Sequence, residues 1–391
     1  MSPQTGMLRQ LAALFLKLGV IGFGGPAAHI AMMEEEVVVR RGWMDRAHFL
    51  DLIGATNLIP GPNSTEMTMH VGYQQARWPG LITAGICFIL PATLMTGFLG
   101  WLYVRFGSLP KVAPFLVGIK PAVLAVILGA LWRLGKTALK HWTLIPVGLS
   151  VAVALFLGLG EVYCLLGGGL LGMLWLVAYN RRAVPPVASA FPLLIAGTGG
   201  FKKIALWGGL ALTAGAGISL WKLGLFFLKI GAILYGSGYV LVAFLEGGLV
   251  QDYGWLTQQQ LLDAIAIGQF TPGPVLTTAT FIGYVLAGVP GAVVATLGIF
   301  LPSFFFVAVL NPIVPRLRRS PWTAAFLDAV NVSAVALMLV VTLKLGSATL
   351  TGWVPVLLFL ISAILVLRYR LNAAYLVLGS AVLGWLLMQL V

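Results

Sequence analysis

Apolar runs of about 17 to 25 residues, long enough to cross a bilayer as helices, succeed one another along the whole chain. They fall near 8–31, 51–76, 79–104, 113–132, 142–158 and 161–179, then near 223–245, 261–286, 289–310, 323–345, 352–367 and 372–390. Between the two sets lies a shorter, Gly-rich apolar run at 204–220. This alternation predicts an all-α polytopic membrane protein. Two of the runs are interrupted at mid-depth, at Pro60, Gly61 and Pro62 and again at Pro272, Gly273 and Pro274. Broken or re-entrant helices are expected there, because a helix inside a membrane is interrupted only where protein or a polar cavity serves the freed backbone groups.

The two sets of runs are related. A shift of 212 carries Phe15, Leu16 and Lys17 onto Phe227, Leu228 and Lys229, Glu34 onto Glu246, Trp43 onto Trp255 and Asp51 onto Asp263. The same shift superposes the two Pro-Gly-Pro breaks; one residue later in register, a shift of 211 carries Gly72 and Tyr73 onto Gly283 and Tyr284 and Pro91 onto Pro302. Matches in Gly, Pro, Trp and charge are not supplied by apolar bias, so the chain is an internal repeat. The expected domains are an N-terminal repeat at 1–190, a linker with an extra crossing at 191–221 and a C-terminal repeat at 222–391.

Composition sharpens this picture. Sixty per cent of the residues are apolar and 9% charged, which excludes an ordinary soluble domain. The net charge of +13 would suit nucleic acid, but Lys and Arg sit in short loops between apolar runs, as a topological signal does. If 204–220 crosses and the N-terminus is cytoplasmic, the inner loops carry twice the Lys and Arg of the outer ones. If it does not cross, the bias nearly vanishes. About 13 transmembrane segments with halves in inverted topology are therefore expected, with Arg40 and Arg41 as outer residues that oppose the rule. Cys87 and Cys164 lie inside apolar runs and read as filler, with no metal site or disulfide. The first run lacks a cleavage pattern and reads as retained.

Inverted repeats place substrate near the midplane, between the halves, on discontinuous helices. The Pro-Gly-Pro breaks read as starts of half-helices whose unpaired N–H groups and positive dipole ends form an anion site. The candidate binding residues are Lys17, Gly24, Gly25, Asn57, Pro60, Gly61, Pro62, Asn63, Ser64, Thr65, Lys229, Gln269, Thr271, Pro272, Gly273, Pro274 and Thr277. Lys17 and Lys229 hold charge at matched depth inside apolar runs, where a cavity or partner is needed; the plainer reading is snorkelling to the interface. Asn57 and Gln269 are matched amides before the breaks, and amide and hydroxyl donors bind an oxyanion without the deep trap of an Arg cluster. Helix capping alone accounts equally for Ser64. Gly22, Phe23, Gly24, Gly25 and Pro26 form a further candidate break, for which close helix packing is the rival reading.

Glu66 and His70 follow the first break at i,i+4 spacing. Beside an anion path, a carboxylate suits coupling to a proton, so both are candidate coupling residues; a structural pair is the alternative. No glycine loop leading to Lys and Ser/Thr, no zinc spacing and no Ser, His and Asp set by motif is present. No enzyme and no cofactor are expected.

Phe15 to Gly19, the segment Gly22 to His29, Trp43 and the segment Leu58 to Glu66 together resemble the chromate ion transporter family in its long, two-domain form. Phe88 to Ala92 and Trp101 to Gly107 fit as well. The resemblance implies a secondary transporter exporting chromate from the bacterial cytoplasm by alternating access, conferring chromate resistance, with sulfate as a structural mimic. It also implies residence in the bacterial inner membrane, N-terminus cytoplasmic and C-terminus periplasmic; the lipid bilayer is then a partner, nucleic acid is not, and a homodimer is admitted. Asn57 stands where many members carry Gln, which bears on substrate preference. The alternatives are a carrier of sulfate or another anion that takes chromate by mimicry, a membrane chromate reductase, and a non-transporting scaffold.

Overall fold

The computed structural model describes residues 3–23, 25–107, 113–179, 213–214, 218–235, 238–310, 320–369 and 371–389. The first half holds α1 (Pro3–Ile21), α2 (Pro26–Glu34, continued as a π-helix over Glu35–Arg40), α3 (Arg46–Thr56), α4 (Asn63–Phe106), α5 (Ala113–Ala138), α6 (Ile145–Phe156) and α7 (Glu161–Tyr179). The second holds α8 (Leu220–Ile233), α9 (Leu241–Leu245, flanked by 3-10 and π turns over Gly238–Val240 and Glu246–Asp252), α10 (Gln258–Phe270), α11 (Thr278–Leu310), α12 (Pro321–Thr349), α13 (Trp353–Tyr369) and α14 (Ala373–Met388). Two short strands, β1 (Thr213–Ala214) and β2 (Ile218–Ser219), pair antiparallel just before α8.

The molecule is an all-α membrane protein with two related halves. Among the described residues, five helices are long and apolar enough to cross a bilayer. Leu90, Leu94, Phe98 and Trp101 form an exposed stripe on α4, and Leu297, Leu301 and Phe305 form one on α11. Exposure of large apolar side chains in helical rows is what lipid contact demands.

The repeat survives in local geometry. Each long helix bends at one place, α4 at Ala76 and Arg77 (φ 54° at Arg77) and α11 at Ala287 and Gly288 (φ 62° at Gly288). Pro79 and Pro290 follow at the start of the next arm, where a missing N–H leaves no helical bond unmade. The bend in α4 is a complete reversal. A Cβ at Gly72 would lie 2.7 Å from that of Ala84 and one at Gly85 3.2 Å from the Met69 side chain, so residues 63–76 run back alongside 77–106. Gly283 and Ala295 make the same approach in α11. Only glycine admits backbones this close.

Four of the expected spans are hairpins, which in 51–76 and 261–286 is the re-entrant form expected of the Pro-Gly-Pro breaks and in 8–31 and 223–245 replaces a single crossing. Lys17 Nζ lies 2.7 Å from Glu36 Oε1, so α2 folds back beside α1. Gln75 Nε2 donates to the carbonyl of Trp43 at 3.1 Å, so the chain from α3 through the first arm of α4 leaves and returns at one end. In the second half the Phe226 ring packs on Tyr253 and Trp255, which folds 238–252 back on α8, and α10 with the first arm of α11 repeats the α3 arrangement. The runs 8–31, 51–76, 223–245 and 261–286 thus each turn back, the first after Ile21, the second over 57–62, the third after Ile233 and the fourth over 271–274. Hydropathy does not distinguish a helix that crosses from two that meet halfway, because both bury the same apolar length. The run 204–220 and the linker 191–221 lie mainly outside the described residues, and their described part includes the β1–β2 pair.

The N-caps follow local chemistry. Asp45 accepts from the His48 N–H at 2.7 Å to open α3, and Thr257 with Gln260 forms a capping box at α10. Leu11, Phe15, Met33, Phe49, Met67 and Phe88 lock the hairpins of the first half into one core. The halves meet along the second arms of α4 and α11, which run antiparallel. A Cβ at Gly85 would meet the Phe304 ring at 2.6 Å, whereas one at Gly100 would meet Tyr284 at 3.0 Å.

Candidate functional site

The four tips converge between the halves. The Gly61 N–H donates to the Leu234 carbonyl and the Gly273 N–H to the Gly22 carbonyl, both at 2.7 Å. These bonds are repeat images of each other, since a shift of 212 exchanges Gly61 with Gly273 and Gly22 with Leu234. Gly61 and Gly273 have φ of 143° and 92°, values that L side chains rarely adopt. Their lack of a side chain also lets each tip press on the opposite half. A Cβ at Gly61 would meet Ser303 Oγ at 2.5 Å, and one at Gly273 would meet Ala92 Cβ at 2.7 Å.

At each tip the C-terminus of one helix meets the N-terminus of the next: α3 with α4, and α10 with the 3-10 turn that leads into α11. The opposed dipole ends partly cancel. The anion-attracting field that the Pro-Gly-Pro breaks suggest is therefore weaker than an isolated half-helix would give.

Two cavities flank the tips, both against the C-terminal half of α5. The first, of 420 Å³, is lined by Asn57, Asn63, Lys140, Asp328 and Asn331. Asn63 Nδ2 donates to Asn57 Oδ1 at 2.8 Å, and Lys140 is held by Asp328 at 2.7 Å, so its cation is already compensated. The second, of 240 Å³, is lined by Phe23, Gly25, Arg133, Tyr239, Gln269, Thr271 and Gly273. Arg133 and the Gln269 Nε2 are its donors, whereas the Thr271 hydroxyl already donates to the Ile267 carbonyl. Arg133 bonds the phenol of Tyr239, which leaves its charge uncompensated by that contact. Gln269 is 8% exposed and its Nε2 has no hydrogen-bond partner among the described residues. A buried amide donor left unmade costs about 1–3 kcal/mol unless a ligand or water accepts from it. Gly25, with φ 78°, opens α2 ahead of Pro26 and brings backbone to the same wall.

The expected residues divide as follows. Gly25, Gln269, Thr271 and Gly273 share the second cavity, and Asn57 and Asn63 line the first. Pro60, Gly61, Pro62, Pro272 and Pro274 are buried in the tips. Ser64, Thr65 and Thr277 are buried behind them, where Thr277 donates to the Pro274 carbonyl at 2.8 Å. Lys17 is held by Glu36 and Lys229 is exposed; neither lines a cavity. Glu66 and His70 are fully buried and line neither cavity. Gly24 lies outside the described residues. Arg133 is legible in the sequence only as one of the Lys and Arg residues beside the apolar runs; its position at the end of one, seven residues before Lys140, carries no signal that separates the two.

Comparison with known proteins matches the division into two halves. The family model described as chromate transporter matches residues 9–173 and again 221–385, one match in each half. The chain is 33% identical to the chromate transport protein of Cupriavidus metallidurans, over 97% of this chain and 93% of that one. It is 30% identical to the chromate transport protein of Pseudomonas aeruginosa, over 96% of this chain and 92% of that one. No solved structure matches the chain.

Proposed function

The chain belongs to the chromate transporter family, and from that premise we propose that it exports chromate from the bacterial cytoplasm as a secondary transporter, by alternating access. The carrying observation is the cavity at the tips, where Arg133 and the Gln269 Nε2, which has no hydrogen-bond partner among the described residues, face one space. A divalent tetrahedral oxyanion accepts at every oxygen, so it answers a wall of donors backed by one cation. At roughly 30 Å³ per water, 240 Å³ leaves room for the ion with part of its hydration. The tip residues Gly25, Gln269, Thr271 and Gly273 contact the ion, and Asn57 and Asn63 line its approach through the first cavity. Lys17 and Lys229 are left out of the binding set because one is paired and the other turned away.

The two halves, 1–190 and 222–391, have inverted topology joined by an extra crossing within 191–221. The antiparallel second arms of α4 and α11 support this, as do the exchanged bonds at the tips. The hairpins also remove the anomaly in the charge pattern. When α1–α2 and α3–α4 return to the side they left, Arg40, Arg41 and Arg46 join Arg9, Arg77 and Lys140 at the inner end, and Arg105, Lys222 and Lys344 remain outside. That is a stronger inner excess than single crossings give, and it fits a cytoplasmic N-terminus and periplasmic C-terminus in the inner membrane.

Both cavities flank the inner half of α5, which fits a state loading from the cytoplasm. Moving a dianion out of a negative interior is downhill by about 2.3 kcal/mol per charge per 100 mV. Chromate resistance follows from this efflux. Sulfate has the same shape and charge and competes for the same donors. The test is flux in proteoliposomes holding chromate, with an imposed potential. Outward chromate flux that sulfate inhibits, with chromium remaining hexavalent, is expected. Unchanged flux under a reversed potential, or reduced chromium, overturns the reading.

A further inference from the structure

Behind the first tip lies a group of buried polar atoms that the anion cavity does not use. Glu66 is 0% exposed, and neither of its carboxylate oxygens has a hydrogen-bond partner among the described residues. Ser303 Oγ and Thr65 Oγ1, also in fully buried residues, lack one as well. A side-chain carbon at Gly61 would collide with Glu66 Oε1 and meet Ser303 Oγ at 2.5 Å, so the carboxylate of one half and the hydroxyl of the other face the same small space beside the tip. Tyr235, from the second half, lies within electrostatic reach of Glu66, and His70 is buried one turn further along α4.

The repeat image of this place is closed. There Glu66 is replaced by Thr278, Thr65 by Thr277 and Ser303 by Ala92. Thr278 Oγ1 donates to the Val275 carbonyl and Thr277 Oγ1 to the Pro274 carbonyl, both at 2.8 Å. The same backbone frame is therefore self-satisfied in one half and left with unmade acceptors in the other. A buried carboxylate far from water needs a compensating positive charge or hydrogen bonds. The dipole at the start of α4 offers at most about half a charge and leaves the oxygens without donors.

We infer that Glu66 and Ser303 form a binding site for one monovalent cation, H+ or Na+, separate from the anion cavity and shared between the halves. Because the Gly61 tip bonds the second half at Leu234 in the same place, occupancy is linked to how the first tip docks. One such site and no image of it gives one cation per transport cycle. This rests on the transport reading only for its consequence, not for the site.

The test pairs binding with flux. Thermal unfolding of the purified full chain, followed by Trp fluorescence, is measured against Na+ with choline as replacement and separately against pH. For wild type a shift in unfolding temperature with Na+ assigns Na+, and a shift with pH alone assigns H+; Glu66→Gln, whose amide supplies its own donors to Ser303, loses that shift. In proteoliposomes at clamped potential, the matching ion gradient drives chromate accumulation by wild type and none by Glu66→Gln, while chromate binding and counterflow persist. Ser303→Ala weakens the ion response and carries the test if Glu66→Gln is not monodisperse. Retention of the wild-type shift and accumulation by both variants, or a wild type indifferent to both ions, overturns the site. A wild type that responds to the ion yet binds no chromate overturns the transport reading instead.

Discussion

The Gly61 amide donates to the Leu234 carbonyl across the interface between the halves at 2.7 Å. Its repeat image, Gly273 to Gly22, has the same length. Each half thus holds the other's first turn with its own second turn, and the space beside these bonds is where a small change in docking alters what the cavities present.

Gly61→Ala and Gly273→Ala should both abolish chromate efflux. Each forces a side chain into a backbone region that costs about 1–3 kcal/mol, and each pushes the tip off its partner, Ser303 or Ala92. Flux in proteoliposomes and unfolding temperature measure the two effects, and full activity in either variant would show that the tips need not meet.

Arg133→Gln and Gln269→Leu should each weaken chromate binding. Loss of a hydrogen bond to a charged ligand is worth about 1.5–3 kcal/mol, a rise of roughly tenfold to a hundredfold in KM. Lys140→Gln, which removes a cation already held by Asp328, should change KM far less. Transport titrated against chromate for the three variants decides it.

Lys17→Met should leave chromate KM within about twofold of wild type, the pattern of a residue outside the binding set, because Lys17 is spent on Glu36 and half exposed. Glu36 then loses its closest partner, so the unfolding temperature should fall. A large KM effect with unchanged stability would return Lys17 to the anion path.

Arg77→Gly should stabilise the chain. Arg77 has φ 54° and ψ −140° inside the bend of α4, and the matching bend in α11 is made by Gly288; relief of such backbone strain is worth about 1–3 kcal/mol. Gly288→Arg should do the reverse, and thermal unfolding of both variants checks the sign.

Tyr103→Phe should destabilise the interface between the halves by about 1–3 kcal/mol. The phenol donates to Asp263 Oδ2 at 2.9 Å, and Asp263 Oδ1 already has no hydrogen-bond partner among the described residues. Asp263→Asn in the same background should recover part of the loss, since an amide carries no charge to be left buried.

The chain alone determined a great deal. Matched Gly, Pro and charge at a constant shift disclosed the repeat, because those residue types serve backbone geometry and cannot drift with apolar composition. Pro-Gly-Pro marked the tips, since no membrane helix tolerates it without a special surrounding, and Gln269 was legible as an amide beside one. Tertiary structure alone decided that the flanking runs turn back, that Lys17 meets Glu36 and that Arg133 and Gln269 line one cavity. Those facts depend on which residues distant in sequence become neighbours, and an apolar run of a given length buries equally well in either direction. The same limit hid the juxtaposition of Glu66 and Ser303: their oxygens face one space beside Gly61 only because one half is docked, tip first, against the other.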